Sequence, residues 1–436
     1  MKKSVVVVLV LLAIIVLLSP AIVGRLAEKS MDESLNWAAS ESREVKITSG
    51  HYDRGWFSSE GQHRIELLDG ELLAAVRTLT GPMEADEVPV LVINTRLDHG
   101  LIPMTSMSRE HGSLAPGLGS AISTLLIELP DGETVDLPGT IYSTVALGGE
   151  LHSNYVLEAG VREDGGMMAS WGDTNVDVRT NPKNGEVWFD GEVGALSFGG
   201  GQESMSLAGL TFEGHQQPTQ YGFSVGDIEF VLNDLSASEG GISSGGLREM
   251  AVRGSTQVND GAFDAKATVR MALQGMPQFG EMSYDMDIQI RGADAQALGQ
   301  ILGGLRTGPS PQDPLAMYAA VEDEAKQLFA AGLEIDFERF DLALPPGTVA
   351  AKMAFSFGEE DPATFEWTTL LLSTAAEIDL SIPEALMEML VQSDPQVAMA
   401  VGGGFLVKKG GVYVMKAELK KGLLTVNGAP IPIPLP

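Results

Sequence analysis

The sequence contains no cysteine. Disulfides, thiol nucleophiles, Cys-ligated zinc and iron–sulfur clusters are thereby excluded. Basic residues are scarce as well. In 436 residues, 28 Lys and Arg stand against 59 Asp and Glu, a net charge of −31. Nucleic-acid binding needs a basic surface, so nucleic acid is not expected as a partner. The six histidines, His51, His63, His99, His111, His152 and His215, form neither a close pair nor a zinc-binding helix motif, and no metal or other cofactor is expected. No Walker-type phosphate loop occurs. Gly241-Ile242-Ser243-Ser244-Gly245 has the spacing of a nucleophile elbow. The elbow needs a buried strand before it and a helix after it. Ser236–Gly240 is a polar turn instead, so the segment reads as a loop, and no enzyme activity is expected. Aromatic residues are 6% of the chain, too few for the two girdles of an outer-membrane barrel.

What is present begins at the N-terminus. Lys2 and Lys3 precede an unbroken apolar run from Val5 to Leu18. As a helix those 14 residues span about 21 Å, short of a hydrocarbon core of about 30 Å. Extension to Val23 gives about 28 Å. The run is a signal peptide cleaved after Ala21 or a retained signal anchor. The continuing helical pattern from Arg25 to Ala39 favours the anchor. Lys2 and Lys3 then stay in the cytoplasm and the bulk of the chain is extracytoplasmic.

After residue 41 the dominant period is two. Phe263, Ala265, Ala267, Val269, Met271 and Leu273 alternate with polar residues. Met282, Tyr284, Met286, Ile288 and Ile290 do the same across a loop with Gly275, Pro277 and Gly280. They predict a long antiparallel pair with one apolar and one wet face. Two strands change parity midway, at Gly226 and at Glu338-Arg339. A bulge or bend must absorb each slip, which predicts a curved sheet. Helices are expected over 294–305, over 313–331 with Asp313 as cap and Gly332 as stop, and over 383–392. Ile288–Ile290 and Ile378–Ile382 each lead into a helix about 90 residues apart, an echo compatible with duplication or chance. From Phe405 onward five lysines face Glu418 alone, 5 − 1 = +4, over a predicted β-meander. Lysines at its turns read as edge protection, or as a contact with anionic lipid headgroups or an acidic partner.

Tyr52-Asp53-Arg54-Gly55-Trp56-Phe57-Ser58-Ser59, then Asp98-His99-Gly100, then Leu424-Thr425-Val426-Asn427-Gly428 occur in that order. In these stretches the chain resembles the YdgA-like proteins of Gram-negative bacteria, a family of unknown function. Leu101 departs from the family's usual proline. The resemblance implies an inner-membrane-anchored periplasmic protein and carries over no catalytic residue. Tyr52, Arg54, Gly55, Phe57, Asp98, His99 and Gly100 read as structural, with Arg54 a candidate partner for Asp98.

The expected fold is mainly β, β-rich α+β: an elongated curved antiparallel sheet with a few packed helices and one N-terminal transmembrane helix. The expected organisation is an anchor over 1–24 and a juxtamembrane helix over 25–41. A β-rich periplasmic region over 42–292, a helical insert over 293–332 and a C-terminal β region over 333–436 follow. If the helices leave the apolar face open, it can hold lipid, with Phe263, Val269, Met271, Tyr284, Met286 and Ile288 facing the ligand. The alternative is an envelope scaffold or assembly factor, binding a protein partner or a second copy, in which the same face is a closed core.

Overall fold

Strands account for most of the chain. The structure, a computed structural model, describes residues 45–432 apart from 56–57, 69–89, 100–116, 129–131, 133, 147, 165–166, 201–202, 240–241, 277–279, 308–318 and 368. The expected anchor and juxtamembrane helix therefore lie outside the described residues, as do Asp313 and Pro314. No described helix is long and apolar enough to cross a membrane. The chain forms two compact units, 1–160 with 172–193 and 161–171 with 194–436.

The first unit is one antiparallel sheet. Its strands are β1 (Val45–Arg54), β2 (Ser58–Leu67), β3 (Val90–His99), β4 (Gly117–Glu128), β5 (Thr134–Ala146) and β6 (Leu151–Leu157). Each pairs with the next. The chain then leaves for β7 (Gly160–Asp164) and β8 (Met167–Trp171) of the second unit. It returns as β9 (Thr174–Asn181), which pairs with β6, and β10 (Glu186–Val193), which pairs with β9. Burial centres on β3 and its neighbours, with Val92, Leu97 and Ala121 enclosed.

The second unit is a meander of longer strands. β11 (Leu196–Gly200) pairs with β8 and with β12 (Glu203–Pro218). Next come β13 (Ser224–Glu239), β14 (Ile242–Asn259), β15 (Ala262–Met276) and β16 (Gly280–Asp294). β17 (Glu334–Leu344), β18 (Gly347–Phe357) and β19 (Thr374–Pro383) complete the run, and β12 to β19 pair in sequence. Alternation is the reason. Directly opposed residues share a face, and the register sets Val269 against Met286 and Met271 against Tyr284. Ser243 pairs with Ser238, so residues 242–245 of the elbow-like segment belong to β14 rather than to the expected loop.

Both parity changes are absorbed as bends. At β17, Phe337 opposes Met353 and Phe340 opposes Ala351, so the two intervening residues face one. This bulge keeps Phe337 and Phe340 on the same face. At Gly226 no residue is inserted against β12. Gly226 instead takes φ 151°, and a Cβ there would lie 1.8 Å from the His215 carbonyl oxygen. A third slip crosses several strands. Gly209 has φ 64°, and Glu249 has φ 53° inside a bulge of β14. Leu207 and Leu210 on β12 both oppose apolar residues of β13, so the slips at that level stay matched.

Helices occupy the strand ends. Asp294 closes β16 and caps α1 (Ala295–Thr307), accepting the Ala297 N–H at 2.7 Å. Gln327 of α2 (Glu322–Ala330) donates to the same oxygen at 3.2 Å. Gly332, φ 92°, stops α2. A short α3 (Leu370–Ser373) precedes β19, which runs directly into α4 (Glu384–Ser393). α5 (Pro395–Gly402) was not anticipated, although Asp394 caps it and Pro395 opens it. The predicted meander follows. β21 (Val412–Lys420) pairs with β19 on one edge. Its other edge takes β20 (Val407–Lys409) and β22 (Leu423–Val426), and β23 (Ala429–Ile431) pairs with β22.

Candidate functional site

The described part of the second unit has an apolar face that can be followed strand by strand. One row runs Phe212, Phe230, Val252, Val269, Met286, Phe340, Ala351, Leu380 and Met415, each directly opposed to the next. Nine strands at about 4.8 Å make it about 38 Å wide. Every member is only half-buried. The neighbouring Leu232, at 6% exposure, is the enclosed exception. The expected ligand-facing residues all fall on this face. Ile288 opposes Ala267 and Phe263 opposes Ala293. Tyr284 meets Phe340 edge-on at 5.4 Å and donates its hydroxyl to the Met286 sulfur at 2.9 Å.

One end of the face is closed. Phe329 of α2 packs edge-on against Phe357 at 4.8 Å and against Trp367 at 5.6 Å. Phe263 meets Phe223 at 5.7 Å, and Gly299 of α1 lies on the Tyr221 carbonyl. Near the other end, Phe198 and Met205 oppose each other and remain 53% and 38% exposed.

The opposite face is polar and knitted by ion pairs. Arg270 Nε donates to Asp285 Oδ1 and Arg339 donates to Asp285 Oδ2, both at 2.9 Å. Burial pushes the Asp285 carboxyl up, but the two guanidinium bonds outweigh it and hold the group below the usual carboxylate range. Asp285 and Asp287 thus serve cross-strand pairing.

The family-type motif residues converge in the first unit. Tyr52 and Arg54 end β1, and the Gly55 N–H donates to the Ser58 carbonyl at 2.8 Å, closing the turn into β2. A Cβ on Gly55 would sit 2.7 Å from that carbonyl oxygen. Ser58 opposes Asp98, and His99 opposes Gly119. Two stretches some 40 residues apart in sequence are therefore adjacent at one end of the sheet. Asp98 is nearly buried, with Arg96 Nε 3.8 Å from its carboxylate. Phe57, Gly100 and the side chains of Arg54 and His99 lie outside the described residues, so the Arg54–Asp98 pairing falls there too. Sequence reading missed a buried polar row nearby: Ser59, His63, Thr95 and Ser123. Thr95 and Ser123 share a hydrogen bond of 2.7 Å. These residues come from three strands, and no local pattern joins them.

The third stretch has a defined task. Asn427, φ 51°, starts a tight turn with Gly428. Its side-chain oxygen accepts the Lys416 N–H at 2.9 Å. Its amide donates to the Gly404 and Phe405 carbonyls, both at 3.0 Å. It thus bridges the gap that β20 and β22 leave along the edge of β21. Asn427→Ala is expected to lower stability in urea unfolding by about 2 kcal/mol, from lost bonds plus left-handed strain. Asn427→Gly keeps the turn and should lose about half as much. Equal losses would assign the whole effect to the side chain.

No curated protein and no solved structure matches the chain. A family model described as a bacterial protein of unknown function, DUF945, matches residues 1–434. That agrees with the resemblance carried by Tyr52–Ser59 and Asp98–Gly100. The chain belongs to this DUF945 family of bacterial proteins.

Proposed function

We propose that the protein is a non-enzymatic, membrane-anchored periplasmic protein whose second unit binds a long apolar molecule, an acyl chain, along the apolar face. The observation that carries this reading is the nine-strand row from Phe212 to Met415, every member of which keeps part of its surface accessible. The face extends about 38 Å across the strands and about 27 Å along eight residues of each, and contiguous apolar surface left accessible to solvent often serves binding. Closure by α1 and α2 at one end, with Phe198 and Met205 exposed near the other, suits a linear ligand entering from the open side. The apolar run Val5–Leu18, with Lys2 and Lys3 before it, supports the anchor.

Native mass spectrometry of the detergent-extracted full chain tests the reading. Co-purifying lipid at defined stoichiometry is the expected result. A lipid-free protein, with the face crosslinking to another polypeptide, would favour the envelope scaffold instead.

A further inference from the structure

The polar face of the second unit holds a bay of about 580 Å³ over β17 to β21, within the size range of small-molecule sites. Register explains its depth. Ala350, Ser381 and Val414 oppose one another across three strands and make a low floor. The row beside it carries Lys352, Asp379 and Lys416, and Lys409 rises from β20 on the far side.

Four cations line the bay, and they are not equivalent. Arg339 is engaged by Asp285 at 2.9 Å and Asp341 at 3.8 Å. Lys416 is held by Glu377 at 2.8 Å and Glu418 at 3.2 Å. Lys352 and Lys409 have no ion pair or side-chain hydrogen bond among the described residues, and neither does the Ser381 hydroxyl. The lining carboxylates are Glu338, Asp341 and Asp379. Asp285, Glu377 and Glu418 outside the lining engage Arg339 and Lys416, which leaves Lys352 and Lys409 as the cations of the bay without an ion pair among the described residues. Ammonium groups and a hydroxyl without protein acceptors are the donors that a phosphate takes.

We propose that this bay binds a phosphate monoester, with Lys352, Lys409 and Ser381 as its donors. The source is a soluble ester or a lipid headgroup. The site lies on the face opposite the acyl row and does not depend on it.

Equilibrium dialysis of the full chain in uncharged detergent tests the proposal, with inorganic phosphate and dihexanoyl phosphatidic acid as probes. Saturable binding is expected, weakened at least tenfold in the Lys352→Gln/Lys409→Gln double variant. Both lysines are exposed, so folding should be unchanged. Lys266→Gln, on the same face in a neighbouring concavity, should leave binding intact. Tighter binding of phosphatidic acid, lost in the double variant, assigns the headgroup. Equal binding of both probes, lost likewise, assigns a soluble ester. Absence of saturable binding, or equal weakening by Lys266→Gln, would overturn the proposal. Met271→Lys, on the other face, should not affect phosphate, so this site can fail or hold independently of acyl binding.

Discussion

Gly299→Ala is expected to destabilise the protein by about 2–4 kcal/mol, against the direction set by helix propensity. Alanine is favoured over glycine inside a helix by about 1 kcal/mol. At Gly299 the new Cβ would sit 2.0 Å from the Tyr221 carbonyl oxygen and 3.1 Å from its carbon. Both neighbours are backbone, so no side-chain rotation relieves the clash. Either α1 lifts from the turn that precedes β13, or that turn deforms beside the Phe223–Phe263 contact. Gly303, one turn further along α1, has nothing within 4 Å of its Cβ position. Gly303→Ala should therefore gain up to about 1 kcal/mol. Urea unfolding of the pair measures the difference. Stabilisation by both substitutions would show that α1 does not rest on Tyr221, and that the closed end of the apolar face is not closed.

The long strands were legible because their side chains alternate over more residues than chance allows. β15 and β16 extend a few residues beyond their alternating runs, and the bulge at Glu338-Arg339 was visible as a parity change. The slip at Glu249 was not visible, since a glutamate in the left-handed region has no sequence mark. α5 had a readable start in Asp394-Pro395 that the short apolar stretch after it obscured. The pairing of β6 with β9 could not be read, because β7 and β8 intervene and depart to another unit. The same limit governs the sites. Parity alone gives the apolar face of each strand, but the row across nine strands needs their register. The lysine bay needs the register of Ala350, Ser381 and Val414 over three strands, and the motif corner needs β2 beside β3. Both are products of non-local pairing.

Met271→Lys and Leu232→Lys should separate an open face from a closed core. Both residues lie on the apolar face, yet Met271 is half-exposed and Leu232 only 6% exposed. A lysine at Met271 can lay its methylenes on the sheet and keep its ammonium in water. The expected loss is about 1 kcal/mol, with cooperative unfolding retained. A lysine at Leu232 leaves a charge without a partner in an enclosed position. The expected loss is about 4 kcal/mol or more, enough to deplete the folded protein. Lipid recovered with the Met271→Lys protein should fall to a small fraction of the wild-type amount, because its charge would sit beside Tyr284 in the middle of the face. Circular dichroism and native mass spectrometry on the same preparations read both effects. A Met271→Lys protein that unfolds as Leu232→Lys does would mean that the face is packed against something. A folded Met271→Lys protein with its lipid undiminished would place the ligand elsewhere. Only a folded variant stripped of lipid fits an acyl chain lying along β12 to β21.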